Sequence, residues 1–600
     1  MKRINLVLTA FFLLFAGLKA YSACYETGQG ACRYYVSVTN GKDDNYGISW
    51  NEAFSSIQRA IDEANGSAGH GVSIEVWVEQ GLYNISSSII MRDSVLVYGG
   101  FVGNETELKQ RNTNPALTVI DAGANGRVLT QPKVFTGESV WNGFTFQNGK
   151  FESITSSEIK GGGGILLEKN GKLENCIIKN NVSNINGAGV YMNQGGHLLN
   201  CVIEGNSIIL NTYGNTRQSG AGVFINSNAT NTGIIESCEI INNHIAGETN
   251  TNSKGGGVYL NGGNLLNSLL HNNSAYQGGG VYAYASDGTG SSNVLDSKII
   301  NNLSHHVGGG IYSSILSNDA GVYPSIMNCL VAHNTSNTGS GGIHAANGTS
   351  TRVHGNRIIN CTIVRNTTTG TNTSYAAYSG LYAQNANFVM NTIIWGNLAI
   401  DASTKKQFYA ANNLNTRFIN NAIQDFIDPG DFASNGTNVT KSGLLKISAD
   451  NNEVAFKNPS SVAGKGGDGW DVAEWILLDS SKCNSAGIAV YTMNDFVAHA
   501  PEKDIAGTTR ENPPAIGAYE ATQLTNTKSV LFENQNRIMY VANEIVTNET
   551  GIIRVFSLTG NQIISSQTEG RLFINLNKGV YITCFIDRQG VIATTKIHVK

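Results

Sequence analysis

Arg352, Arg357 and Arg365 cluster in one stretch of this chain, and His333 and His344 stand just ahead of them. A cationic base beside a charge neutraliser is what proton abstraction from an acidic sugar needs, the step that opens β-elimination in a polysaccharide lyase. A solvated basic edge explains the same residues, since no acid cluster able to hold calcium accompanies them. Hydrolysis would need two or three carboxylates on one face, several ångströms apart. The acids of the region, Glu168, Glu174, Glu204, Glu236, Glu239, Asp287, Asp296 and Asp319, are scattered without pairing. The triplet Gly69, His70, Gly71 and the acids Asp43 and Asp44 come too early in the chain to join them. His271, His305 and His306 fall at unequal offsets and read as surface histidines rather than metal ligands. Lys42 to Gly47, "KDDNYG", alternates oxygen donors as calcium loops do but lacks the distant bidentate glutamate, so it reads as a polar turn. No cofactor is expected, with calcium at such an oxygen-rich turn as the alternative.

Binding has a clearer candidate. Tyr191, Phe224, Tyr259, Tyr282 and Tyr312 each follow a glycine cluster and one aliphatic residue. Alternation along a strand puts each ring opposite that aliphatic, so an interior aliphatic means an exterior ring and a strip on which sugars could stack. Aromatic stacks also serve simply to hold register.

The elements that carry these residues repeat. An apolar run with a small or sulfur residue at its start and an asparagine five places on returns at Gly143, Cys176, Cys201, Cys238, Ser268, Ser297, Cys329, Cys361 and Thr392, with starts 25 to 37 residues apart. A period of that length means a stack of units, none of which buries its apolar face alone. Each unit holds two or three short β-rich runs joined by glycine turns, with no stretch of helical period long enough to cross over between them, which excludes leucine-rich and helical solenoids. The asparagines from Asn181 through Asn206, Asn243, Asn273, Asn302, Asn334, Asn366 and Asn397 follow the strands, where Asn tolerates the left-handed conformation of a sharp turn and stacked amides bond along a column.

"LENCIIKNN", "SCEIINN" and "KGGGVYL" resemble the right-handed parallel β-helix repeat. That resemblance implies coils rising by about 4.8 Å, the spacing of paired strands, so that equivalent side chains stack. The cysteines with their Ile, Val and Leu neighbours then fill a narrow interior. The fold class expected is all-β: a parallel β-helix with an N-terminal helical cap and a small C-terminal β-sandwich. Trp50, Phe54, Ile57 and Ile61 at helical spacing supply the cap, in an opening segment of residues 24–70. The coils follow over 71–430, a closing segment over 431–521 and the sandwich over 522–600.

Both ends extend the resemblance, which covers about residues 34 to 521. "VWVEQGLYN" and "LVYGGFVGNE" look like the opening of bacterial surface β-helices, and "LLDSSKCNSAG" and "DIAGTTRENPPAIGAYE" like the closing segment of those with a choice-of-anchor region. Residues 528 to 600 resemble the sorting domain of type IX secretion cargo in Bacteroidetes, with Gly579 to Tyr581 and Lys596 to Lys600 matching; a plain immunoglobulin-like accessory domain shares the pattern. Lys2 and Arg3 before the apolar run Leu6 to Leu18 read as a signal peptide of residues 1–23. Cleavage there would expose Cys24 for lipidation, although a Cys24–Cys32 disulfide fits the oxidising compartment better.

Forty basic against forty-four acidic residues, a net charge of −4, leave no basic cluster for nucleic acid or a membrane surface. No segment after the signal is fit to span a bilayer. The expectation is a secreted, monomeric protein on the outer-membrane exterior, exported through secretion machinery that reads its C-terminal domain. It would serve as an adhesin or glycan-binding scaffold for a polysaccharide or a host or bacterial surface ligand. The alternative is a carbohydrate-active enzyme, lyase rather than hydrolase, working through the Arg352 to Arg365 region.

Overall fold

The computed structural model describes residues 31–67, 73–521 and 538–599, apart from short internal segments at 159, 212–217, 248, 287, 317–320, 348–354, 371–377, 400–405, 412–414, 429–430, 433–438, 468, 494–495, 542–543, 558–561, 574–578 and 588–591. The signal segment, Cys24, Gly69 to Gly71 and Arg352 lie outside the described residues. Unit by unit the chain visits four sheets, here named A to D, in the order A, B, D, C, as in Gly171–Glu174, Ile177–Lys179, Val182–Ser183 and Val190–Asn193. Among the described residues sheet A stacks 14 strands, sheet B 13, and sheets C and D 11 each, and all of their pairings are parallel. The architecture is a right-handed parallel β-helix.

One continuous core runs down the axis. Leu173, Cys176, Ile178, Val190 and Met192 of one coil all point into it. Cys201, Cys238, Cys329 and Cys361 occupy the same interior position in later coils. At the entrance, the helix Ile57–Ser67 lays Ile57, Ala60, Ile61 and Ala64 over the first coil. Trp50 and Phe54 precede that helix instead of joining it. Trp50 sits in a short 3₁₀ turn with its indole N–H on the Glu105 carbonyl, and Phe54 enters the core directly. At the far end, Phe408, Phe418 and Phe432 close the core edge to face, with centroids 4.9 to 5.5 Å apart.

The asparagine column is continuous and buried. Asn181, Asn206, Asn243, Asn273, Asn302, Asn334, Asn366 and Asn397 each pass a side-chain N–H to the next amide oxygen down the stack, at 2.9 to 3.1 Å, with Gln407 as the last acceptor. The same oxygen takes the backbone N–H of the residue above, as Asn302 Oδ1 does from Asn273 at 2.9 Å. These asparagines are not the left-handed residues. That conformation belongs to the position just before: Asn180, Asn242, Asn272, Asn301, His333 and Arg365, with φ between 53° and 60°, alternating with Gly205 and Gly396. A second left-handed column precedes the cysteines and the Ser or Thr that replace them, from Asn175 through Asn200, Ser237, Asn267, Asp296, Asn328, Asn360 and Asn391. From Ile177–Lys179 to Ile393–Trp395, the strands of sheet B are thus set between two such bends. At the first repeat signature the register is one residue off the sequence reading: Ile177 pairs with Thr145 and Asn181 Oδ1 accepts from Gly149, so Asn148 falls on the left-handed column instead of the ladder.

Residues 451–521 turn back along the outside of the coils. Val454, Phe456, Trp475, Leu477 and Ile516 form a second core against Leu330, Val364, Ile393 and Trp395 of sheet B. A hairpin, Val490–Met493 with Phe496–His499, sets Phe496 and Ala498 on Ile359, Phe388, Met390 and Ile419 of sheet A. Corner asparagines receive the backbone of this segment: Asn391 Oδ1 accepts from the Ile488 N–H at 2.9 Å, and Asn360 and Asn420 donate to Ala515 and Ala486. A buried ion pair, Arg510 with Glu520 at 2.8 Å and side chains 3% and 6% exposed, closes it, and Arg510 also donates to Asn328.

The chain divides into two units, residues 1–523 and 524–600. The second is antiparallel throughout: the long strand Glu544–Ser557 pairs with Ile538–Val541, Gln562–Phe573 and Gly579–Asp587, and the last of these with Ile592–Val599. Ile545, Ile553 and Val555 bury one face, as two-residue alternation requires.

Candidate functional site

The basic cluster of the sequence is dispersed over three faces of the coils. Arg357 opens a strand of sheet A, His344 lies in sheet C, and His333 and Arg365 occupy the corner after sheet B. Among the described members the last two meet, under the returning segment: Arg365 donates to the Ser460 carbonyl at 2.9 Å, and His333 Nε2 lies 3.1 Å from the Ser460 hydroxyl. Arg365 also stacks over Trp395 at 4.4 Å. Burial, with Arg365 adding to it, pulls the His333 pKa down to about 4. Both side chains anchor the coil to the returning segment.

The aromatic residues form one stack on the outer side of sheet C, opposite the interior Val190 and Met192. Tyr191, Phe224, Tyr259, Tyr282 and Tyr312 follow at 4.7 to 5.0 Å, and His344 and Tyr382 continue the column at 5.2 and 4.5 Å. Interplanar angles of 7° to 14° mean that ring lies on ring. The exterior placement agrees with alternation, but the faces a sugar would need are taken by neighbouring rings, and Tyr191 and Tyr282 are only 2% and 5% exposed.

Other candidates resolve into local contacts. His271 meets Glu239 at 2.9 Å, and His306 stacks on Tyr276. Asp43 of "KDDNYG" accepts the backbone N–H groups of Ser55 and Ser56 ahead of the cap helix. Among the described residues no three His, Cys, Asp or Glu side chains gather closely enough to hold a metal.

What the sequence reading missed is the outer face of sheet A. The residues four and two places before each ladder cysteine or serine point outward there, in register from coil to coil. The first column reads Lys172, His197, Ile234, Asn264, Asn293, Ser325, Arg357. The second reads Glu174, Leu199, Glu236, Leu266, Leu295, Met327, Ile359. From Lys172 to Ser325 these side chains are largely half-buried, and among the described residues no segment is laid across them as the hairpin is laid farther down. At about 4.8 Å per coil this open strip is about 24 Å long. Tyr98, Arg111 and Asn142 adjoin its upper end, where Arg111 donates to Asn142 at 2.6 Å and lies over the Tyr98 ring. Within it, His197 meets Glu236 at 3.2 Å, Lys172 approaches Glu174 at 3.9 Å, and Asn293 donates to Asn264 at 2.8 Å. Burial and nearby Lys172 lower the His197 pKa below its ordinary value, so at neutral pH the imidazole is uncharged. The signal for this strip was present in strings such as "KLENC", "HLLNC" and "IIESC", once positions are counted back from the cysteine.

No protein-family model matches the chain, and no curated protein is similar to it. Solved structures resemble it only weakly. The A-module of mannuronan C-5 epimerase AlgE6 from Azotobacter vinelandii is 14% identical, with 65% of this chain and 94% of that one covered and a TM-score of 0.37. The adhesin PfbA of Streptococcus pneumoniae is 11% identical over 68% and 94%, with a TM-score of 0.25. The pectin methylesterase of Aspergillus niger is 12% identical over 75% and 97%, with a TM-score of 0.21. No functional argument rests on likenesses of this size.

Proposed function

We propose that this protein is a secreted, surface-displayed β-helix that holds an extended glycan along the open strip of sheet A. The observation that carries the reading is the strip itself. It sets hydrogen-bonding groups (Lys172, His197, Asn264, Asn293) beside half-exposed aliphatics (Leu199, Ile234, Leu266, Leu295) at a constant rise per coil. Apolar patches rimmed by polar groups suit sugar rings, which have both kinds of face. Where the same sheet becomes more apolar, the protein covers it with its own hairpin. Residues 1–23 are then the export signal and 522–600 the sorting address, read by secretion machinery in a Bacteroidetes-type host. The choice-of-anchor likeness of the closing segment belongs to the same reading.

One observation favours a second reading. His197 is held by Glu236 beside Lys172, an uncharged imidazole oriented by a carboxylate, which is the arrangement of a general base. A carbohydrate-active enzyme, lyase before hydrolase, would use that pair. Incubating the purified protein with neutral and acidic glycans while following both retention and ultraviolet absorbance from unsaturated products separates the two. Retention that is lost in a Leu266→Ala, Leu295→Ala variant supports binding. Product formation that is lost in His197→Ala supports catalysis, and neither retention nor product would overturn both.

A further inference from the structure

Arg357 stands where the open strip runs into the hairpin. Its guanidinium carbon lies 4.1 Å from the Tyr323 ring and 4.8 Å from the Phe496 ring. The Nε is buried without a hydrogen-bond partner, and among the described residues no carboxylate forms an ion pair with this arginine. An arginine stays charged even there, and a partly desolvated charge without a counter-charge favours a ligand that supplies one. Rings that fix the guanidinium plane also remove the ordering cost of binding a planar anion.

We propose that Arg357 is a carboxylate-recognition site that takes the acidic terminal sugar of a glycan lying on the strip, an assignment that rests on the glycan reading above. The rigid fork of arginine matches a carboxylate through two parallel hydrogen bonds. A single acidic unit fits better than a polyanion, because Glu174 and Glu236 line the opposite end of the strip and would repel one. Glu236 is four coils away, about 19 Å at the strand spacing and beyond the screening length of about 8 Å, so it leaves Arg357 free to attract. A sugar fits better than a peptide. The backbone of sheet A is paired coil to coil on both sides along the strip, so no edge is offered to which an extended peptide could add as a strand.

The test uses the full chain and three probes: a neutral tetrasaccharide, the same tetrasaccharide ending in glucuronate, and an acidic tetrapeptide. Titration calorimetry on the wild type should show the acidic sugar binding about tenfold or more tightly than the neutral one, the size of effect of a hydrogen-bonded charge. Arg357→Gln should abolish that preference while keeping the neutral affinity and the melting temperature. Arg357→Lys, which keeps the charge without the fork, should reduce it and serves if the glutamine variant does not fold. Equal binding of the two sugars by the wild type, or discrimination retained in both variants, would overturn the assignment and leave the strip reading standing. Tighter binding of the peptide would overturn the sugar class. Binding of neither sugar would remove the strip reading along with it.

Discussion

Asn273 shows what one ladder residue does. Its amide donates to the Ile240 carbonyl and to Asn302, and its oxygen accepts both the backbone and side-chain N–H of Asn243. Replacement by leucine strands several buried groups at once, so Asn273→Leu should cost about 3 kcal/mol or more, whereas the same change at exposed Asn252 should cost little. Equal melting temperatures would remove the ladder argument. His333 bears on pH. It is uncharged in the fold, with a pKa of about 4, and protonates near 6.5 when unfolded. The unfolded chain therefore binds more protons below pH 6.5, and stability present above that value is lost as the pH falls toward 4, by up to about 3 kcal/mol. His333→Asn also suits the left-handed corner better and should flatten the acid side of a melting-temperature profile. An unchanged profile would show that His333 does not carry the acid sensitivity.

At the scale of elements, the returning segment depends on the buried Arg510–Glu520 pair. Removing one partner leaves the other charged and dry, so Arg510→Ala should destabilise by about 3 to 5 kcal/mol and open residues 451–521 to protease. The double change with Glu520→Ala should cost less than the sum of the two single changes; strict additivity would mean that the two do not interact. The stack on sheet C yields a contrasting expectation. Tyr259→Ala with Tyr282→Ala deletes two rings that lie on each other at 5.0 Å, and should lower the melting temperature by several degrees while leaving glycan retention intact below it. Retention lost without a change in melting would restore the rings as the binding face.

For the molecule as a whole, the two units have separate cores, and solenoid stability is a sum of neighbour terms. A chain ending at Ala521 should therefore fold, resist protease and keep whatever binding the full chain has. If residues 522–600 are a sorting address, the truncated chain should stay in the periplasm of the native host while the full chain reaches the surface. Protease treatment of intact cells reads the difference, and equal display of both forms would show that the domain is not an address.

The sequence by itself determined the coil, the cysteine interior, the asparagine column and the outward turn of the tyrosines, because short-range periodicity alone decides which side chains stack. It could not say that the left-handed residue is the one before each ladder asparagine, since both positions are often Asn and only the register separates them. Nor could it place Arg357, His333, Arg365 and His344. Residues a few places apart sit on different faces of a coil, whereas His197 and Glu236, 39 residues apart, meet on one face. Which faces stay open was decided by the tertiary structure alone. The returning segment covers sheet B and the lower part of sheet A through contacts far apart in sequence, such as Asn360 with Ala515, 155 residues on, and local pattern carries no record of them.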